Sequence, residues 1–178
     1  MTRATSVLAY IKARLPAVQK TKAFKLLYYA EAWNLTWTGR PLFDEPIEAW
    51  QFGPVERSSY QAFDTTPPNL DGLTPEQASI VDAVLAYYGS KSRQDLVDLS
   101  HSETPWRSAF YSRDGGHENG KTIDAGAMIR EYSSQSVRGV GPTKPALPGE
   151  PADQTAVDDI ARAAIQKWAG ALDLLAQR

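Results

Sequence analysis

The run Phe24-Lys25-Leu26-Leu27-Tyr28-Tyr29-Ala30-Glu31-Ala32-Trp33 leaves a helix almost no polar face. At helical spacing Phe24, Leu27, Tyr28 and Leu35 share one side, while Leu26, Tyr29, Ala30 and Trp33 cover much of the rest. A helix that is apolar nearly all round cannot lie on a surface, so the remainder of the chain has to be wrapped around it. The pattern predicts this hub from about Thr21 to Leu35 with a stop near Gly39, and assigns Lys20, Lys22 and Lys25 to solvent.

The wrapping elements can be read in order. Val7, Leu8, Ile11 and Leu15 recur at helical steps before Pro16, which gives a first short helix. Beyond Gly39 the period shortens: Leu42-Phe43, a turn at Asp44-Glu45-Pro46, and the alternating Ile47 to Phe52 read as a β-hairpin ended by Gly53-Pro54. Val55 to Phe63 reads as a short helix. Thr74-Pro75-Glu76-Gln77 combines a cap, a proline at the first helical position and a capping box, ahead of the stripe Ile80, Val81, Val84, Leu85 and Tyr88. Ser92 and Asp95 repeat the capping spacing, Thr104-Pro105 opens another helix, and Thr122 begins one carrying Ala125, Met128, Ile129 and Tyr132. Four prolines and three glycines between Val137 and Ala152 mark a linker. Asp153 then caps a long segment with Val157, Ile160, Ala164, Trp168, Ala171 and Leu175 at steps of three and four.

The expected fold is therefore mainly α: a compact domain of about six to seven helices with a small β-hairpin over residues 1–133, a Pro/Gly-rich linker over 134–152, and a C-terminal amphipathic helix over 153–178. That last helix must bury its stripe on its own domain or on another chain.

Chemistry is sparse. With no cysteine and two histidines in 178 residues, thiol catalysis and thiolate metal sites are excluded, and a zinc site would need mostly carboxylates. His101-Ser102-Glu103 is better explained by His101 bonding to backbone or packing beside Trp106. Ser100-His101 lacks a nucleophile elbow, and the Gly115-Gly116 and Gly139-Val140-Gly141 stretches lack the preceding strand of a nucleotide-binding loop. No catalytic set, cofactor or metal is expected. Residues 1–40 carry seven Lys or Arg against one acid, but within a chain of net charge −2 they read as solvated helix faces, which argues against nucleic acid as the partner. No apolar run has the length of a membrane span or a secretory leader, so the expectation is a soluble, cytoplasmic protein.

The spaced motifs match a known pattern. Lys-Leu-Leu-Tyr-Tyr-Ala-x-Ala-Trp from Lys25, Gly39-Arg40-Pro41-Leu42-Phe43, and Ile47-Glu48-Ala49-Trp50 leading to Gly53-Pro54-Val55 resemble the Panacea domain, also described as SocA-like or phage-associated GepA-like. Leu96 to Trp106 and Ile123 to Tyr132 resemble the family's later segments, so the likeness spans about residues 5–133. It implies an antitoxin that neutralises a protein toxin by contact, with partners that include relatives of small alarmone synthetases. Proteolytic adaptor and, from another class, nucleic-acid-binding regulator are the alternatives, and a homo-oligomer stays open. Because buried Trp and Tyr dominate interfaces, the contact candidates are Trp50, Phe52, Tyr60 and Trp168; core residence is the competing explanation for Trp50 and Tyr60.

Overall fold

The computed structural model describes residues 2–111, 116–117 and 119–146. Among them are seven helices: α1 (Ala4–Arg14), α2 (Lys20–Thr38), α3 (Arg57–Ala62), α4 (Pro75–Tyr88), α5 (Arg93–Ser102), α6 (Thr104–Phe110) and α7 (Ala125–Val137). A small antiparallel sheet joins β1 (Ile47–Trp50), β2 (Gly53–Glu56) and β3 (Lys121–Thr122) in the order β2-β1-β3. The mainly α expectation with a small hairpin holds. The predicted segment 153–178, with Trp168, lies outside the described residues.

Helix α2 is the hub. Thirteen consecutive residues from Ala23 to Leu35 are buried, a length of about 20 Å at 1.5 Å per residue, and α1, α4, α5, α7 and β2 all pack on it. Gly39 ends it in the left-handed region at φ 69°, its N–H bonding to the Leu35 carbonyl. On one flank the Tyr29 ring stacks on Tyr88 at 4.1 Å, and Trp33 Nε1 donates to the Tyr88 hydroxyl at 3.1 Å. On the other, the Tyr28 and Tyr132 hydroxyls meet at 2.9 Å. After α7 the chain returns across the end of the hub. Gly141, at φ 110°, lies against the Trp33 ring so closely that a Cβ there would sit 2.2 Å from Cζ2, and Lys144 Nζ reaches the Trp37 carbonyl at 3.3 Å.

The predicted caps at Thr74 and Ser92 hold, while those at Thr104 and Thr122 do not. Thr74 with Gln77 and Ser92 with Asp95 form complete capping boxes. The cap position of α6, however, is Glu103 rather than Thr104, and its side chain makes no capping bond. Thr122 is not a helix start but lies in β3, and α7 is capped by Asp124, whose carboxylate accepts from the Ala127 N–H.

The hairpin also differs from its prediction. Its strands are Ile47–Trp50 and Gly53–Glu56, closed by Trp50 opposite Gly53 with Gln51-Phe52 as the turn. The expected first strand, Leu42-Phe43, makes only an isolated bridge from Phe43 to Thr2, and Gly53-Pro54, expected to end the strand Ile47 to Phe52, instead opens β2. Proline is tolerated because β2 is an edge strand and antiparallel pairing alternates. Opposite Ala49, Pro54 sits where its backbone groups point away from β1, so the missing N–H costs no ladder bond.

Candidate functional site

Three of the predicted contact residues, Trp50, Phe52 and Tyr60, line one pocket of about 600 Å³ together with Thr21, Phe24, Lys25, Gln51, Val55, Phe110, His117 and Asn119. The convergence depends on the sharp change of direction after β2. Glu56 caps α3, its carboxylate accepting from the Ser58 and Ser59 N–H groups at 2.8 and 2.6 Å, which swings Tyr60 back against Phe24 and Trp50 with ring centroids at 5.2 and 5.1 Å.

The turn that carries Phe52 is tied down at three points. Trp106 Nε1 donates to the Trp50 carbonyl at 3.0 Å, the Gln51 N–H donates to Asn119 Oδ1 at 2.9 Å, and Lys25 Nζ donates to the Pro54 carbonyl at 2.8 Å. Phe52 itself is 68% exposed. The Trp50 indole is fixed by its donation to Glu48 Oε2 at 2.8 Å, and Arg57 clamps the same carboxylate through Nε and Nη2 at 3.0 and 2.7 Å. Hydrogen bonding from Arg57 holds the Glu48 carboxyl below its ordinary range. An apolar ring is thus presented to solvent on a braced turn, above a half-buried aromatic wall. Phe52 lies in the turn beyond Trp50, so the two side chains do not share a strand face.

Lys25 is where the sequence reading fails outright. Assigned to solvent, it is 1% exposed, because a helix enclosed on every side offers no outward direction at this position. Burial alone drops its ammonium pKa to about 7. Gly53 lies directly over it: a Cβ there would be 2.7 Å from Lys25 Cε, 2.8 Å from Nζ and 3.0 Å from Ser100 Oγ, at a backbone φ of 98°. Only glycine lets the hairpin close on the lysine.

The groups that invited a catalytic reading are taken up in packing and core hydrogen bonds, although the buried His101 Nε2 has no hydrogen-bond partner among the described residues. His101 stacks on Trp106 at 3.8 Å and 12°, and its pKa is lowered by burial and then by the Lys25 charge. Glu103 points into the core, where Oε2 accepts from the Tyr29 and Tyr132 hydroxyls at 3.1 and 2.8 Å and Oε1 accepts from Gln135 Nε2 at 3.1 Å. Burial nevertheless holds its carboxyl up at about 7. Glu31 is buried in the same helix as Lys25, accepts from the Leu42 N–H at 2.7 Å, and is likewise raised by burial to about 7. Among the described residues no three His, Asp or Glu side chains cluster as a metal site, and no helix is long and apolar enough to cross a membrane.

Comparison with known proteins adds a family to this geometry. The family model described as "Antitoxin SocA-like, Panacea domain" matches residues 24–107, a narrower span than the motif likeness but one that holds Lys25, Trp50, Phe52 and Tyr60. "Antitoxin SocA" of Caulobacter vibrioides (strain NA1000 / CB15N) is 35% identical over 102 residues, covering 46% of this chain and 54% of that relative. The chain therefore spans about half the length of the curated relative it matches. No solved structure matches. The matched span holds most of the hub helix, the hairpin and α3 to α5, so residues 24–107 are similar to the Panacea domain of the SocA-like antitoxins.

Proposed function

We propose that this chain is an antitoxin that neutralises a cognate protein toxin by binding it directly, through the face formed by Trp50, Phe52 and Tyr60. The observation that carries the reading is the braced turn. A large apolar ring held 68% exposed, on backbone fixed by Trp106, Asn119 and Lys25, is costly for a monomer to display and suited to insertion into a partner. The likeness to the SocA-like antitoxins supports the antitoxin role, and the stacking of His101 and the core hydrogen bonds of Glu103 support a role by contact rather than by catalysis. Trp168 stays a proposed contact on the sequence pattern alone.

Co-expression with the product of the adjacent gene tests this. The wild-type chain should rescue growth, and Phe52→Asp should abolish rescue while leaving the circular dichroism spectrum unchanged. If that product is toxic alone and equally toxic beside the wild-type chain, the reading fails for the pair. Rescue that disappears in a protease-deficient host would replace direct neutralisation by delivery to the protease.

A further inference from the structure

The floor of the aromatic pocket holds an amine that the fold leaves without a counter-ion, and burial pushes it toward its neutral form. Lys25 Nζ spends one hydrogen on the Pro54 carbonyl and makes no ion pair among the described residues, although an ammonium carries three donors. For tying down β2 one donor suffices, and an ammonium buried without a partner is driven toward the neutral amine. Two more cations lie over rings that form the pocket wall. Lys20 Nζ lies 4.2 Å from the Tyr60 ring centroid, and the Arg57 guanidinium lies 5.4 Å from that of Trp50. Arg57 is matched by Glu48, but Lys20 has only the exposed Asp64 at 3.7 Å. The wall is aromatic, and its floor holds an amine with unused donors that an incoming carboxylate would draw back to its charged form.

Resting on the direct-binding reading above, we propose that this pocket receives an acidic anchor of the toxin: an aromatic or branched aliphatic side chain seated among Trp50, Phe52, Tyr60 and Phe110, flanked by an Asp or Glu whose carboxylate pairs with Lys25. The volume suits one large side chain and a neighbouring carboxylate. Lys25 lines the pocket but is only 1% exposed beneath the hairpin, so the anchor reaches it as Phe52, the most exposed of the four rings, turns aside. A charge pair made on binding in a water-poor site sets orientation as well as affinity.

The test uses the full chain and overlapping synthetic peptides spanning the adjacent-gene product, followed by the Trp50 indole NMR signal and by calorimetry. A peptide that shifts that signal should contain an acid within two residues of a large apolar side chain. Lys25→Met, which keeps the length of the side chain and removes the charge, should weaken it by about tenfold or more, and so should the acid-to-amide change in the peptide. Both changes together should cost little more than either alone. Additive losses, no loss, or binding that depends on a terminal carboxylate instead would overturn the inference. If Lys25→Met fails to fold, the peptide-side change against the wild-type chain decides. Full-length toxin that binds wild type and Lys25→Met equally removes the acidic anchor but leaves direct binding standing, whereas toxin that binds neither removes both.

Discussion

Replacing Glu103 with glutamine isolates what a buried carboxyl costs this fold. The side chain is 5% exposed and its carboxyl is raised from 4.5 to about 7, chiefly by burial and in spite of three donors. Between those two values the folded protein keeps a proton that the unfolded chain has lost. This group's contribution to stability is therefore greatest below about pH 4.5 and falls as pH rises through 7. At about 1.4 kcal/mol per pH unit the whole window is worth about 3 kcal/mol, of which about 2.5 kcal/mol falls between pH 5 and 8. The substituted amide cannot ionise, yet it keeps an acceptor for the tyrosine hydroxyls. Urea unfolding followed by tryptophan fluorescence should show the stability of Glu103→Gln relative to wild type increasing by about 2.5 kcal/mol from pH 5 to pH 8. Glu31 titrates in the same direction in both proteins and cancels in the difference. A difference that stays flat, or that shrinks with rising pH, would refute the reasoning.

Other consequences are quicker to check. Lys25→Met should not lower the melting temperature at pH 7. Because the wild-type lysine is depressed from 10.5 to about 7, wild type alone should gain stability as pH rises between those values. Gly53→Ala combines a strained φ with a Cβ pressed into Lys25 and should cost about 2–4 kcal/mol in chemical denaturation; a neutral result would mean the hairpin does not close on the lysine. Trp33→Ala, which empties the space between Tyr88 and Gly141, should cost about 3–5 kcal/mol. Phe52→Ala should change stability by no more than about 0.5 kcal/mol while weakening rescue in the co-expression assay.

Much of this can be read in the chain, and the failures have specific causes. The hub helix, the caps at Thr74 and Ser92 and the core stripe of α4 depend on neighbours three or four residues away, where periodicity carries the information. Lys25 is misplaced because a charged residue is sent to solvent by default, a default that has no meaning on a helix with no solvent face. The hairpin slips because Gly53 and Pro54 act as breakers in most contexts, and only the edge position of β2 and the closeness of Lys25 make them strand residues. At the pocket, aromatic content is visible in the sequence, but its assembly is not. Phe110 and Asn119 arrive from more than fifty residues downstream of the turn, and nothing local in the sequence records that meeting.

The enclosure of α2 sets a condition on how the protein is made. Tyr88, Glu103 and Tyr132, the side chains that close around its tyrosines and Trp33, lie 55, 74 and 104 residues further along the chain from the groups they bond. On the ribosome the hub therefore emerges early and stays unsheltered until almost the whole domain has been synthesised, a topology that delays folding until distant segments arrive. A copy truncated before Tyr132 leaves one flank of the hub open to water and becomes a substrate for chaperones and proteases. Folding of the hub is thus coupled to completion of the domain.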